Sequence, residues 1–136
     1  MNEKFIQNLD KLPADVRRQF ALLANQYGEK KKQDTIQNDF LSFVKHVWPD
    51  FVEGKHHKRI ADKFNKLASG EIKRLIINMP PRHTKSEFGS YLLPAWMVGK
   101  NPKLKIIQST NTTELSVRFG RKAKALIDSP EYSKSV

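Results

Sequence analysis

The stretch of sequence that decides the predicted fold is LIINMPPRHTKSE, residues 75–87. Its apolar beginning, together with Arg74, has the length and composition of a buried strand in a parallel sheet. A short loop ending in Lys-Ser follows, and residues 86–98 are long enough for a helix. Strand, loop and helix in this order are typical of a loop that cradles nucleotide phosphates, because its backbone N–H groups and the helix N-terminus face the anion.

Two residues of this loop have the side chains that a phosphate cradle needs. Lys85 can reach the β- and γ-phosphate oxygens, and the hydroxyl of Ser86 can bind Mg²⁺. The strict pattern G-x-x-x-x-G-K-[ST] nevertheless has glycine where this chain has Met79 and Thr84. Glycine is favoured before the lysine because the backbone there often needs a positive φ, which a β-branched threonine tolerates poorly. Two interpretations stay open from the residues alone: a phosphate-binding loop, or a strand-turn-helix whose Pro-Pro pair stiffens a solvated loop.

Composition narrows the class of protein. The chain has 136 residues, which suits one domain with a moderate core. Its 25 Lys and Arg against 14 Asp and Glu give a net charge of +11, which favours polyanionic partners such as nucleic acid. The absence of cysteine excludes disulfides and thiolate metal sites. No apolar run approaches the ~20 residues of a membrane-spanning helix, and the N-terminus has no signal-peptide pattern, so we expect a cytoplasmic protein that is neither secreted nor membrane-bound.

Helical periodicity precedes the loop. Residues 1–34 are predicted to form an N-terminal helical arm or hairpin, with a short helix over Phe5–Leu12 and a charged linker over 28–34. Between them, an amphipathic helix after Pro13 is predicted from apolar residues at helical spacing: Val16, Phe20, Leu23, Ala24 and Tyr27. Two more helices are predicted over 36–47 and 57–68, the second ended by a glycine. Their buried sides are predicted from residues that recur at helical spacing: Ile36, Phe40, Phe43, Val44 and Val47 in one helix, and His57, Ile60, Ala61, Phe64, Leu67 and Ala68 in the other.

A second predicted strand follows the loop, at residues 104–110. With the first strand and the helix between them it would make a right-handed parallel crossover. A last helix, with Asn111 as its N-cap, is predicted to bury one side composed of Leu115, Phe119, Ala123, Leu126 and Ile127.

Three phrases of the chain carry a resemblance to a known family: FVKHVWPDFVEGKHHKRIADKF, IKRLIINMPPRHTKSEFGSYLLPAW and KIIQSTNTTELSVRFGRKAKALIDS. From about Phe40 to its end, and most closely between Ile72 and Ser129, the chain resembles the phage terminase large subunit. In one branch of that family a Pro-Pro-Arg-His-x-Lys-Ser-Glu loop replaces the glycine-rich form. The resemblance implies a motor that hydrolyses ATP to pump double-stranded viral DNA through the portal into a procapsid.

The same resemblance implies an α/β fold. N-terminal helices would be followed, over residues 35–136, by the N-terminal portion of a P-loop ATPase domain with the start of its RecA-like (ASCE) parallel sheet, incomplete. It also assigns the ATP site to Pro80, Pro81, Arg82, His83, Thr84, Lys85 and Ser86. Lys85 matches the phosphate-binding lysine and Ser86 the hydroxyl that coordinates Mg²⁺. Arg82 is a candidate arginine finger, with ground-state phosphate contact or a salt bridge as alternatives.

The adenine ring is expected near His56 or His57, by the position of this neighbourhood in the family. A zinc site on this pair is disfavoured, because neighbours on a helix point about 100° apart and no third ligand is evident. We expect His83 to pack or hydrogen-bond within the loop. Glu87 is expected to favour the helix start through its charge rather than to activate water.

The family's Walker B strand, which ends in Asp-Glu, has no counterpart after Lys85, and neither have the coupling motif and the nuclease domain. We therefore expect the first quarter or so of a terminase, a fragment that binds ATP weakly and does not hydrolyse it. The family further implies contact with the portal and the small terminase subunit, and a homo-oligomeric ring in the host cytoplasm.

Two other functions stay open. One is a non-enzymatic DNA- or partner-binding module that uses basic side chains of the last helix, expected mostly opposite its apolar side: Arg118, Arg121, Lys122 and Lys124. Binding through several such phosphate contacts weakens steeply with salt. The other is a different P-loop ATPase, because the strand-loop-helix unit recurs in many motors.

Overall fold

The computed structural model describes residues 13–135. Its helices are α1 (Ala14–Asn38), α2 (Phe40–Val47), α3 (Lys55–Ala68), α4 (85–100), α5 (Thr113–Ile127) and α6 (Pro130–Ser133). Helix α4 is continuous but not uniform, since a first turn (Lys85–Glu87) leads into a π-helical turn (Phe88–Leu92) and then into Leu93–Lys100. Of the helices in this part of the chain, none has the length and apolar composition needed to cross a membrane.

The expected α/β fold is wrong, because residues 13–135 contain no strand and therefore no parallel sheet, complete or incomplete. The two segments predicted as strands, 74–79 and 104–110, are neither helical nor paired. Burial still alternates along the first of them: Leu75, Ile77 and Met79 pack against the core, whereas Ile76 is 86% exposed. The apolar pattern predicts this alternation of burial within one segment. A sheet also requires a neighbouring strand whose backbone pairs with the first, and a sheet of only two strands is marginally stable in water.

The chain divides into two compact units between Lys32 and Gln33. In the first unit the described residues, 13–32, belong almost entirely to α1, and their side chains are exposed. The segment expected to be a charged linker, 28–34, is helical. Glutamate, lysine and glutamine are good helix formers, and together they outweigh one glycine, whose cost is about 1 kcal/mol. The short helix predicted over Phe5–Leu12 lies outside the described residues.

The start of α2 is fixed to α3 by one polar cluster. Asp39 is the N-cap of α2, and its Oδ2 accepts the Ser42 N–H at 2.8 Å. The Asn65 side chain of α3 donates to Asp39 Oδ1 at 2.8 Å and accepts the Phe40 N–H at 2.9 Å. These hydrogen bonds lower the pKa of Asp39, although partial burial opposes them with the largest single effect. The predicted helix over 36–47 is therefore interrupted at Asp39, where α1 has ended and α2 begins.

An aromatic cluster in the second unit joins α2, α3 and α4. The Phe40 ring is fully buried and meets Phe64, Phe88 and Trp96 edge-on, with centroid distances of 5.0, 5.3 and 5.5 Å. Edge-to-face pairs add to the stability that burial alone provides. Because Phe88 belongs to the π-helical turn of α4, this cluster fixes the part of α4 that follows the Lys-Ser loop.

The predicted core is confirmed in α2 and α3 and only partly in α5. The buried residues of α2 and α3 include Phe40, Phe43, Val44, His57, Ile60, Ala61 and Phe64. Helix α5 has no buried residue: Phe119, Ala123 and Leu126 are half-buried, whereas Leu115 and Ile127 are exposed. Its N-cap is Thr112, whose Oγ1 accepts the Leu115 N–H, and not the predicted Asn111.

Candidate phosphate-binding site

The candidate site is the loop 80–84 together with the first turn of α4. Lys85 and Ser86 lie in that turn, and both are exposed. No side chain caps this end of α4. The first N–H groups of a helix have no partner within the helix, and the helix dipole adds a partial positive charge there. The loop thus presents a lysine, a hydroxyl and an uncapped helix start to solvent.

The backbone of the loop is left-handed at two non-glycine residues, Arg82 (φ 64°) and Thr84 (φ 56°). Each such residue costs roughly 1–2 kcal/mol relative to ordinary backbone. Thr84 stands where the strict phosphate-loop pattern has glycine, and its backbone has the positive φ that glycine adopts easily. The backbone at Thr84 therefore has a positive φ although threonine disfavours it. Residues held in such strained conformations are common at functional sites.

A hydrogen-bond chain from α3 reaches Thr84. The N–H of Gly54 donates to His57 Nδ1 at 2.9 Å, so the neutral imidazole carries its proton on Nε2. His57 Nε2 lies 2.6 Å from Thr84 Oγ1 and donates to it, and the Thr84 hydroxyl donates to the His83 carbonyl at 2.7 Å. Gly54 is the N-cap of α3 and His57 its third residue, so this is the side-chain half of a capping box in which histidine replaces the usual glutamate.

The surroundings of His57 favour its neutral form. The ring is buried and contacts the rings of Phe51 and Phe88, at centroid distances of 4.8 and 5.2 Å. Burial lowers the pKa of His57, and the nearby His56 lowers it further, while Glu53 opposes both. A neutral ring is also what the hydrogen bonds require, because a protonated Nδ1 could not accept from Gly54.

The other two histidines near the loop have different surroundings. His83 Nδ1 is 2.9 Å from the Pro81 carbonyl, a contact within the loop itself. His56 lines a groove of about 430 Å³ together with Arg59 and the 75–79 segment, and its Nε2 is buried without a hydrogen-bond partner. Of the two residues expected near adenine, His57 has both ring nitrogens engaged in hydrogen bonds, whereas His56 borders this groove. No group of three or more His, Asp or Glu within residues 13–135 is placed to hold a metal ion.

Arg82 and Glu87 lie on either side of the Lys-Ser pair. Arg82 is exposed and takes part in none of the ion pairs found among the described residues. Glu87 lies in the first turn of α4, where the helix dipole favours a carboxylate. Burial raises the pKa of Tyr91, and the negative charge of Glu87 raises it further.

The basic side chains of α5 differ in their exposure and in their contacts. Arg118, Arg121 and Lys122 line one shallow depression of about 530 Å³, which Glu114 also borders. Lys122 is half-buried, and its Nζ lies 5.2 Å from the centre of the Tyr91 ring. It therefore packs against α4 in a cation–π contact. Lys124 is exposed.

Comparison of the chain with protein families, with curated proteins and with solved structures finds no match. The assignment of a function therefore depends on the residues of the loop and on its geometry. Sequence analysis singled out every residue of that loop but missed the role of His57. The signal that would have found it is its spacing, since a residue three positions after an N-cap can accept the cap's N–H.

Proposed function

We propose that residues 80–86 bind the phosphate groups of ATP together with Mg²⁺, as the nucleotide site of a packaging motor of the terminase large-subunit kind. On this proposal Lys85 contacts the β- and γ-phosphate oxygens and the Ser86 hydroxyl holds Mg²⁺. The observation that carries the proposal is the left-handed backbone at Thr84, one residue before an exposed Lys-Ser pair at an uncapped helix start. The solvated-loop interpretation gives no reason for two strained residues there.

The residues of the loop fit a bound Mg²⁺ nucleotide. A phosphate group carries several negative charges, and the uncapped turn, Lys85 and Arg82 all bring positive charge or N–H donors to one short stretch. Bound Mg²⁺ supplies further neutralisation of the phosphate oxygens. Arg82 is free of described ion pairs, so its guanidinium can turn toward a phosphate.

This proposal implies the following partners in the host cytoplasm: double-stranded viral DNA, the portal, the small terminase subunit and a ring of further copies of the chain.

The direct test is calorimetric titration of the purified chain with ATP and Mg²⁺. We expect saturable binding that Lys85→Ala abolishes and that Lys105→Ala leaves unchanged. Lys105 is an exposed lysine outside the loop, so its variant controls for the loss of one positive charge. We also expect Ser86→Ala to weaken binding with Mg²⁺ present and to have little effect when the metal is chelated. Equal binding by the Lys85→Ala and Lys105→Ala variants would refute the proposal.

A second candidate function is binding of nucleic acid phosphates by α5. The observation that favours it is the shared depression lined by Arg118, Arg121 and Lys122. Against it, Glu114 borders the same depression and Lys122 is engaged with Tyr91. If these three residues neutralise three phosphates, the logarithm of the affinity for duplex DNA falls with the logarithm of salt concentration with a slope of about −3. A slope unchanged in an Arg118→Ala, Arg121→Ala double variant would exclude this function.

A further inference from the structure

We propose that His57 is a positioning residue for the phosphate loop: by donating from Nε2 to Thr84 Oγ1, it holds Thr84 in its left-handed conformation, and protonation of its ring releases the loop. The inference rests on the proposed function of residues 80–86, and it assigns to that site a pH-dependent control located on α3.

The first step is the strain at Thr84. Threonine is β-branched and disfavours positive φ, so its backbone conformation requires support from its surroundings. The support comes through the side chain, because Thr84 Oγ1 accepts from His57 Nε2 at 2.6 Å and donates to the His83 carbonyl at 2.7 Å. One hydroxyl thus connects the loop backbone to α3. A glycine at this position needs no such support.

The second step is the rigidity of the donor. His57 is fixed by the Gly54 N–H on one ring nitrogen and by its contacts with the rings of Phe51 and Phe88. Phe88 itself follows the loop in α4, three residues after Lys85. The imidazole therefore stands between the beginning of α3 and the beginning of α4, so a change in its position reaches the loop directly.

The third step is the effect of a proton. Protonated imidazole is a donor at both nitrogens, so Nδ1–H would point at the Gly54 N–H, and the hydrogen bond at Nδ1 would be replaced by repulsion between two donors. Nε2 keeps its proton, so on this proposal the contact with Thr84 is lost because the repulsion at Gly54 turns the ring out of its position. The titratable groups that act on His57 are His56 and Glu53 beside it and His83 from the loop. Glu53 would stabilise a protonated ring, but it is engaged by Lys45 and Lys58. We therefore expect the proton to bind when the pH falls below the ordinary histidine range, and the loop to loosen with it.

The test combines two substitutions with pH. The affinity for ATP and Mg²⁺ is measured by calorimetry between about pH 5.5 and pH 8, and each variant is first checked for folding by circular dichroism. His57→Gln keeps an N–H donor but cannot be protonated, whereas His57→Ala has no donor. At the upper pH we expect near-normal affinity for His57→Gln and a loss of about fivefold for His57→Ala, the effect of one hydrogen bond. Toward the lower pH, the affinity of the wild type for ATP and Mg²⁺ should fall relative to the affinity of His57→Gln. Because protonation of the nucleotide affects both proteins equally, it cancels in the ratio of the two affinities.

The decisive control is Thr84→Gly, which adopts positive φ without help. In this background we expect His57→Ala to change the affinity by less than about twofold. An equal loss in both backgrounds would overturn the inference, because His57 would then act only through general stability. A wild type that follows His57→Gln at every pH would overturn it as well. Binding that needs Lys85 but ignores His57 refutes this inference alone, whereas a wild type that does not bind refutes the proposed function too.

If His57→Ala does not fold, the wild type itself provides the test. Imidazole nitrogen spectra should show the Nε2–H tautomer of His57 at the upper pH, and the Thr84 amide resonance should move with the His57 titration. An Nδ1–H tautomer, or a Thr84 resonance that is indifferent to His57, would overturn the inference.

Discussion

At the residue scale, the candidate site is distinguished by backbone strain at Arg82 and Thr84. The sequence pattern pointed to strain only at Thr84, where threonine stands in the place of a glycine. The pattern indicated that glycine was missing, and the structure has the positive φ without the glycine. Nothing in the sequence around Arg82 predicts its φ of 64°, because the conformation of one loop residue depends on how the elements on both sides are packed. Strain of this kind gives a prediction in which stability and binding change in opposite directions.

Arg82→Gly should raise the free energy of unfolding by about 0.5–1 kcal/mol, because glycine removes the left-handed strain at a modest entropic cost. The same variant should bind ATP more weakly, since the guanidinium is lost. Urea denaturation and calorimetry measure the two effects. Arg82→Ala is the matched control, because it removes the guanidinium and keeps the strain. Equal stability of the glycine and alanine variants would show that the backbone at Arg82 is unstrained.

A second prediction at this scale concerns pH and stability. His57 has a lowered pKa in the folded chain and an ordinary one, near 6.5, in the unfolded chain. The unfolded chain therefore binds more protons below this value, so stability should be full above about pH 6.5 and decrease as the pH falls through the window beneath it. Urea denaturation between about pH 5.5 and 7.5 tests this, a range above the ordinary pKa of carboxyl groups. His57→Gln should remove most of the slope, and an unchanged slope would contradict the assignment.

At the scale of elements, helices were predictable and the sheet was not. The spacing of apolar residues predicted α3 and the core face of α2, because a helix forms its hydrogen bonds within one segment. The same reasoning predicted strands at 74–79 and 104–110, but a strand depends on a partner that no local pattern specifies. Ile76 and Ile107, which the strand prediction placed in a buried sheet, are exposed.

The aromatic cluster gives the clearest stability prediction for these elements. Phe40→Ala should lower the free energy of unfolding by about 3–5 kcal/mol, because it opens a cavity among three rings that join α2, α3 and α4. Ile76→Ala is the control and should change stability by less than about 0.5 kcal/mol, since that side chain is exposed. Similar losses in the two variants would contradict the described core.

The apolar residues exposed in the unpaired segments 74–79 and 104–110 should make copies of the chain associate with one another. Ile107 is 97% exposed, and an unpaired apolar segment is a template for contact with another chain. Ile107→Lys should therefore reduce concentration-dependent association in sedimentation velocity without loss of stability. Val52→Lys adds the same charge at an exposed apolar residue outside these segments and should have less effect. Association that is equal in the two variants would exclude the 104–110 segment as its cause.

At the scale of the whole molecule, the positive charge has two candidate binding surfaces for an anion: the loop at residues 80–86 and the depression on α5. A net charge of +11 favours a polyanion but does not say where it binds. The loop before α4 has strained backbone and an uncapped helix start, whereas the depression on α5 has ordinary helix and a carboxylate at its edge. Sequence alone predicted the residues of both surfaces, and only the conformation of the loop distinguishes between them.

The most direct measurement is the change in backbone amide resonances of the chain, by ¹H–¹⁵N spectroscopy, as ATP and Mg²⁺ are added. We expect the largest saturable shifts at the amides of residues 82–87, and we expect these shifts to vanish in Lys85→Ala. Shifts centred instead on residues 118–124, or spread over the surface without saturation, would contradict a phosphate-binding loop at residues 80–86.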